Sequence, residues 1–152
     1  MSMASHYPDQ PILLNAMVDL AVEELNHYRE VIRLMLARNI VPCADQKDPY
    51  VNQLNQLVRK GPQNFLLDRL LVAAVVERRG AERFGLIAHA IQETELQKFY
   101  RDIAASEDRH WMLFYKLAEQ HCELESIAPR FDEISAREAE IMLALPIQAL
   151  LH

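Results

Sequence analysis

Apolar side chains recur every three or four residues through most of this chain, and the few interruptions divide it into helices. From about Ile12 to Arg38 the recurring positions are Leu13, Met17, Leu20, Ala21, Leu25, Tyr28, Ile32 and Met35, the stripe of an amphipathic helix with one buried face. Pro8 and Pro11 mark its start and Asn39 its stop. Val41 to Pro49 reads as loop, and a short amphipathic segment from Tyr50 to Val58 ends at Lys60-Gly-Pro62. The next helix is predicted from about Gln63 to Ile91. Its middle, Leu70-Leu-Val-Ala-Ala-Val-Val76, is apolar all round and belongs at the centre of a core. Thr94 offers a cap for a helix from Glu95 to about Ala118, with Leu96, Phe99, Tyr100, Ile103, His110, Leu113, Phe114 and Leu117 on its inner side. A last helix follows Pro129, from about Ser135 to Leu145, and ends before Pro146. With only 3 Gly and no alternating segment, almost no strand is expected.

Length and composition narrow this to one all-α domain over residues 1–152, with 51% apolar and 25% charged residues. No run of eighteen uncharged apolar residues and no secretory start is present in the sequence, so no membrane span and a cytoplasmic location are expected. Cys43 and Cys122 lack metal or redox spacing and read as buried or inert thiols. A net charge of −6 argues against a protein that coats nucleic acid, but leaves room for an enzyme that meets RNA through a local basic patch. Arg78, Arg79 and Arg83 form one such group, and Arg29, Arg33 and Arg38 a looser one. The competing reading for both is solvated helix surface with intrahelical pairs such as Glu30 and Arg33.

The chemistry lies in a repeated pattern. Glu24-Leu-Asn-His27 and Glu107-Asp-Arg-His110 each place a carboxylate and an imidazole three residues apart within a predicted helix. Three residues is nearly one turn, so each pair projects from one face and can share one ion. In bundles that hold two metals, two helices give such a pair and the other two give one Glu each. Glu77 follows the apolar run directly. Counted from a turn at Glu93, Glu77 lies 16 residues before it and Glu107 14 after, which at a rise of about 1.5 Å puts them within about 3 Å of one level. Glu82, 11 residues from the same turn, falls about 5 Å off. Glu77 is therefore the ligand candidate, a buried ion pair being its alternative, and Glu82 the partner of Arg78, Arg79 or Arg83. Carboxylate oxygen with imidazole nitrogen suits iron or manganese, and does not choose between them. Glu23 and Asp108 point elsewhere and read as supporting or solvated groups. His6, His89, His121 and His152 lack the pattern and are expected at the surface or near caps.

Beyond the pattern, the words themselves are specific. Ala21-Val-Glu-Glu-Leu-Asn-His-Tyr-Arg-Glu-Val31, Asp68-Arg-Leu-Leu-Val72, Glu77-Arg-Arg-Gly-Ala-Glu-Arg-Phe84, Phe99-Tyr100 and Ser106-Glu-Asp-Arg-His110 resemble the tRNA 2-methylthio-isopentenyladenosine hydroxylase family in order and spacing. The resemblance implies a ferritin-like four-helix bundle with an additional C-terminal helix and a non-haem di-iron centre. It implies O2-dependent hydroxylation of the isopentenyl group of the modified adenosine beside the tRNA anticodon, with electrons from an external partner. Carried over by position, Glu24, His27, Glu77, Glu107 and His110 would be the metal ligands, and by charge Arg78, Arg79 and Arg83 would be weak substrate contacts.

Two departures matter. The family has a further Glu on a helix before the Glu24 helix, and nothing ahead of Pro8 supplies one, so the first helix is expected to be largely missing and the sixth ligand to lie upstream. A neighbouring subunit of a homo-oligomer would then fill the gap, or the chain would be unstable and poorly active. Gly80 stands where the family usually has a small polar residue and costs some helix propensity. Two other functions compete: a ferritin-like iron-binding or iron-oxidising protein without an organic substrate, and a structural bundle that has lost its metal.

Overall fold

Prolines set where the helices begin. Pro11, Pro49 and Pro62 each sit in the first turn of a helix, where the missing N–H has no intrahelical partner to lose. The computed structural model describes residues 2–44 and 48–146, and among these every regular element is helical. The helices are α1 (Ser2–His6), α2 (Pro11–Ala37), α3 (Pro49–Gln56), α4 (Pro62–Ala90), α5 (Thr94–His121) and α6 (Leu124–Ala144). The chain divides into two compact units, Met1–Gln46 and Lys47–His152. No described helix is long and apolar enough to cross a membrane.

In the first unit α1 packs on α2. Asn39 ends α2 as expected: it adopts φ 56°, and Ile40 N–H donates to Met35 O while Asn39 N–H donates to Leu36 O. This is the Schellman arrangement, which Asn tolerates because its left-handed conformation costs little. Leu13, Met17 and Leu34 are buried, but Leu25 and Tyr28, expected on the inner stripe, are exposed. Within this unit the reason is length. A five-residue helix of about 8 Å cannot cover one of 27 residues and about 40 Å.

The second unit is organised around α4, which packs chiefly on α5 and then on α6, while α3 lies on α6. Leu70, Leu71, Val72, Ala74 and Val75 are buried, as the all-round apolar run predicts. They meet a core that includes Ile103, Phe114 and Leu117 of α5 and Ile127, Phe131 and Ile134 of α6. The Asp48 carboxylate caps α3 by accepting from Tyr50 N–H at 2.8 Å. Gly61 takes φ 108° ahead of Pro62, a conformation only glycine adopts without strain.

Three expectations are corrected. Thr94 is the first residue of α5 rather than its cap; Glu93 holds that position, with no side-chain capping bond, and its carbonyl accepts from Gln97 N–H. The last helix starts at Leu124, eleven residues before Ser135, and carries Pro129 inside it. Pro129 removes one backbone bond near the start, whereas Ile127, Phe131, Ile134, Glu138 and Ile141 form an unbroken buried stripe across it. Cys43 is exposed rather than buried; the Cys122 thiol is half-buried, which pushes its pKa up and keeps it inert. His6, His89 and His121 each lie in the last turn of a helix, near its cap as expected. His152 and residues 45–47 of the expected loop lie outside the described residues.

Candidate metal centre

Helices α4 and α5 are joined by only residues 91–93 and pack along their length, so they form a hairpin that sets Glu77 opposite Glu107. His110, one turn beyond Glu107, completes the group. His110 Nδ1 lies 3.8 Å from Glu77 Oε2 and 3.7 Å from Glu107 Oε2, and ligand atoms of all three residues lie within 4.8 Å of one another. These separations exceed a hydrogen bond. They suit donors bound to one ion, because two atoms each about 2.1 Å from a metal stand roughly 3–4 Å apart. Glu107 and His110 are buried and Glu77 is half-buried, a setting in which two carboxylates this close are compensated by a retained proton or by a cation.

On its other side the imidazole is held by its own helix. His110 Nε2 lies 3.3 Å from Ser106 Oγ, and Ser106 is 2% exposed. Arg109 donates to the same hydroxyl at 3.2 Å and to Ala105 O at 3.1 Å. Gly80 faces the site from α4: a Cβ there would stand 3.7 Å from Glu107 Cγ and 3.7 Å from the Phe84 ring, ordinary van der Waals contact. Gly80→Ala is accordingly expected to stabilise the protein by about 1 kcal/mol, raising its melting temperature by a few degrees in a thermal melt.

In the first unit the matching pair occupies the middle of α2. Glu24 Oε1 lies 3.6 Å from His27 Nδ1, with the Glu24 side chain 45% exposed. Each Glu-x-x-His pair is thus folded as the spacing requires within its own unit.

The arginines separate into different roles. Glu82 pairs with Arg79 at 2.6 Å and with Arg78 at 3.9 Å, as expected for a carboxylate off the level of Glu107. Arg79 and Arg83 also reach the buried Glu138 of α6, at 2.9 and 3.3 Å, and the Tyr50 hydroxyl donates to the same carboxylate at 3.0 Å. Burial, and then the charge of Glu138, push the Tyr50 hydroxyl far above its usual pKa. Arg78 differs: its guanidinium lies 5.9 Å from the ring centres of both Trp111 and Phe131. It lines an open groove of about 580 Å³ with Ala81, Glu82, Ala104, Ala105, Asp108 and Trp111. Asp108 accepts from Trp111 Nε1 at 2.9 Å, on the outer side of α5 as its position predicts. On the other loose group, Arg33 bonds Glu30 at 2.9 Å, the expected intrahelical pair.

Sequence reasoning passed over three buried polar groups of the second unit: Ser106, Asp68 and Glu138. The available signal was a polar residue inside an apolar stripe, Asp68 within Phe65-Leu-Leu-Asp-Arg-Leu-Leu71 and Glu138 between Ile134 and Ile141.

The family and the curated relatives share one printed activity, and the solved structure, described with another, shares the fold. The family described as tRNA-(MS[2]IO[6]A)-hydroxylase (MiaE) matches residues 1–152. A tRNA 2-(methylsulfanyl)-N(6)-isopentenyladenosine(37) hydroxylase of Pseudomonas putida is 34% identical over 142 residues, 93% of this chain and 69% of that protein. The Salmonella typhimurium protein of the same name is 34% identical over 132 residues, 87% of this chain but 48% of its own length, so the chain spans about half of that relative. A solved structure described as "Protein 43 with aldehyde deformylating oxygenase activity from Synechococcus" superposes with a TM-score of 0.91 at 32% identity, over 97% of this chain and 73% of that one. The fold is all-helical, as the apolar pattern predicts, and of the ferritin-like class that the resemblance implies.

Proposed function

Because this chain belongs to the tRNA-(MS[2]IO[6]A)-hydroxylase (MiaE) family, we propose that it hydroxylates the isopentenyl group of 2-methylthio-isopentenyladenosine beside the tRNA anticodon. The observation that carries the reading is the Glu77, Glu107 and His110 group, three hard or borderline donors at ion-sharing distances on the α4–α5 hairpin. We assign Glu24 and His27 as the second half of a two-iron ligand set, on the repeated spacing and on the folded pair within α2.

Bound there, iron supplies dioxygen activation, which no side chain of this protein can perform on an unactivated C–H bond. The chain's own contribution is to hold the donors. Glu77 and Glu107 bring anionic oxygens next to the apolar run of α4, where their charge favours a cation, and His110 offers a neutral nitrogen between them. Arg78, beside Trp111 at an open groove and only loosely paired with Glu82 at 3.9 Å, is the best placed of the three arginines to meet a nucleotide; Arg79 and Arg83 are engaged with the buried Glu138. The reading also requires an external electron donor, and a tRNA substrate puts the reaction in the cytoplasm.

The test is to load the protein anaerobically with Fe(II), add reductant, labelled dioxygen and tRNA carrying the modified adenosine, and digest the tRNA for mass spectrometry. The expected product is a nucleoside heavier by one labelled oxygen. Iron oxidised at the protein with the nucleoside unchanged would instead support the ferritin-like iron-oxidising function.

A further inference from the structure

The geometry points to Ser106 as a positioning residue for the metal: its hydroxyl accepts the Nε2 proton of His110 and so presents the Nδ1 lone pair to the ion. The inference rests on the metal reading of Glu77, Glu107 and His110. A neutral imidazole carries one proton, and which nitrogen bears it decides which nitrogen can ligate. The two carboxylates of the group lie on the Nδ1 side, at 3.7 and 3.8 Å. Nδ1 must therefore be bare for an ion to bind there, and the proton must sit on Nε2.

At Nε2 stands Ser106 Oγ, 3.3 Å away and one turn back on the same helix. Ser106 is almost fully buried, so the contact is shielded from water. Its oxygen has two acceptor sites, one of which takes the Arg109 Nη2 proton at 3.2 Å. Arg109 is itself anchored to Ala105 O at 3.1 Å, so the hydroxyl is held from the solvent side. A hydroxyl oxygen with two acceptor sites can serve His110 as well. Groups that receive the second ring N–H of a metal-binding histidine fix its tautomer and its ring angle, and losing one costs about 10- to 100-fold in metal affinity.

The experiment compares wild type, Ser106→Ala, Ser106→Thr and Glu107→Ala. Two readouts are used: the His110 tautomer, and so its ligating nitrogen, from nitrogen chemical shifts in isotope-labelled protein saturated with diamagnetic Zn(II), and Co(II) affinity by optical titration. Ser106→Ala removes only a hydroxyl and raises helix propensity, so it should fold. Expected are an Nε2–H tautomer in wild type, a mixed tautomer and about 10- to 100-fold weaker Co(II) binding in Ser106→Ala, and recovery of both in Ser106→Thr. Wild-type tautomer and affinity in Ser106→Ala would overturn the proposal. So would a loss of affinity that Ser106→Thr shares while the tautomer stays unchanged, since that would mark a packing role. Glu107→Ala keeps the two ideas apart: if it binds Co(II) as wild type does, the metal reading itself fails, whatever the serine variants do.

Discussion

Glu107→Ala is expected to lose metal binding and hydroxylation together while the metal-free protein stays as stable as wild type or becomes slightly more so. Loss of a supporting group around a metal costs 10- to 100-fold in affinity, so loss of a direct ligand should exceed about 100-fold. Turnover should fall to background, because the C–H chemistry has no side-chain substitute. The stability half of the expectation follows from charge. Without an ion, Glu77 and Glu107 set two carboxylates against one imidazole in a largely buried space, and removing one relieves like-charge repulsion. Such sites commonly give up stability for function. The check is a pair of melts with and without Fe(II) under anaerobic conditions. In wild type, free Fe(II) at about 100 times its dissociation constant should add about 2.7 kcal/mol, and in Glu107→Ala it should add nothing measurable. A mutant that melts much lower than wild type without metal would mean that Glu107 holds the fold rather than an ion.

Much of this arrangement could be read locally. Helix periodicity and punctuation place α2 and α4 within a residue of their observed ends, because Pro11, Asn39 and Pro62 act on their own neighbours. Counting turns from Glu93 is enough to bring Glu77 to Glu107 and to leave Glu82 to the arginines, since two helices joined by three residues must run back along each other. The start of α6 was missed because Pro129 reads as a local stop, while the stripe that overrides it gains its energy only by burial against α4 and α5. The ties of Asp68 and Glu138 were missed for a related reason. Arg130 lies 62 residues from Asp68 and Tyr50 lies 88 from Glu138, and no local pattern encodes such a pairing. Ser106 was within reach, as it lies one turn from His110, but a serine in a helix is common and only its burial distinguishes it.

Asp68→Ala should be the most damaging of the variants outside the metal group, at about 3 kcal/mol, and Asp68→Asn should be nearly as harmful. Asp68 is 0% exposed and accepts from Arg59 N, Nε and Nη2 and from Arg130 Nε and Nη2, at 2.8 to 3.0 Å. Arg130 also donates to Leu57 O at 2.6 Å, so one carboxylate ties α4 to the turn after α3 and to α6. Breaking a buried pair from one side costs about 3–5 kcal/mol. The low end applies because Arg59 can turn to water and Arg130 keeps Glu133 at 2.7 Å. Asparagine restores the shape but not the chemistry: its amide would aim two donors at guanidinium donors where every contact needs an acceptor. Thermal melts should show a drop of roughly 6–12 °C for either variant. The pH dependence identifies the cause. Burial pushes the Asp68 carboxyl up, but the hydrogen bonds and charges of Arg59 and Arg130 outweigh it and lower its pKa from 3.8 to about 2. A depressed carboxyl stabilises the fold fully above the unfolded value and loses that contribution as pH falls toward the folded one. The gap between wild type and Asp68→Ala should therefore be constant above about pH 5 and shrink by about 2 kcal/mol between pH 4 and pH 2. A gap that stays constant down to pH 2 would mean that packing at this position, and not the ionised pair, holds α4 to its neighbours.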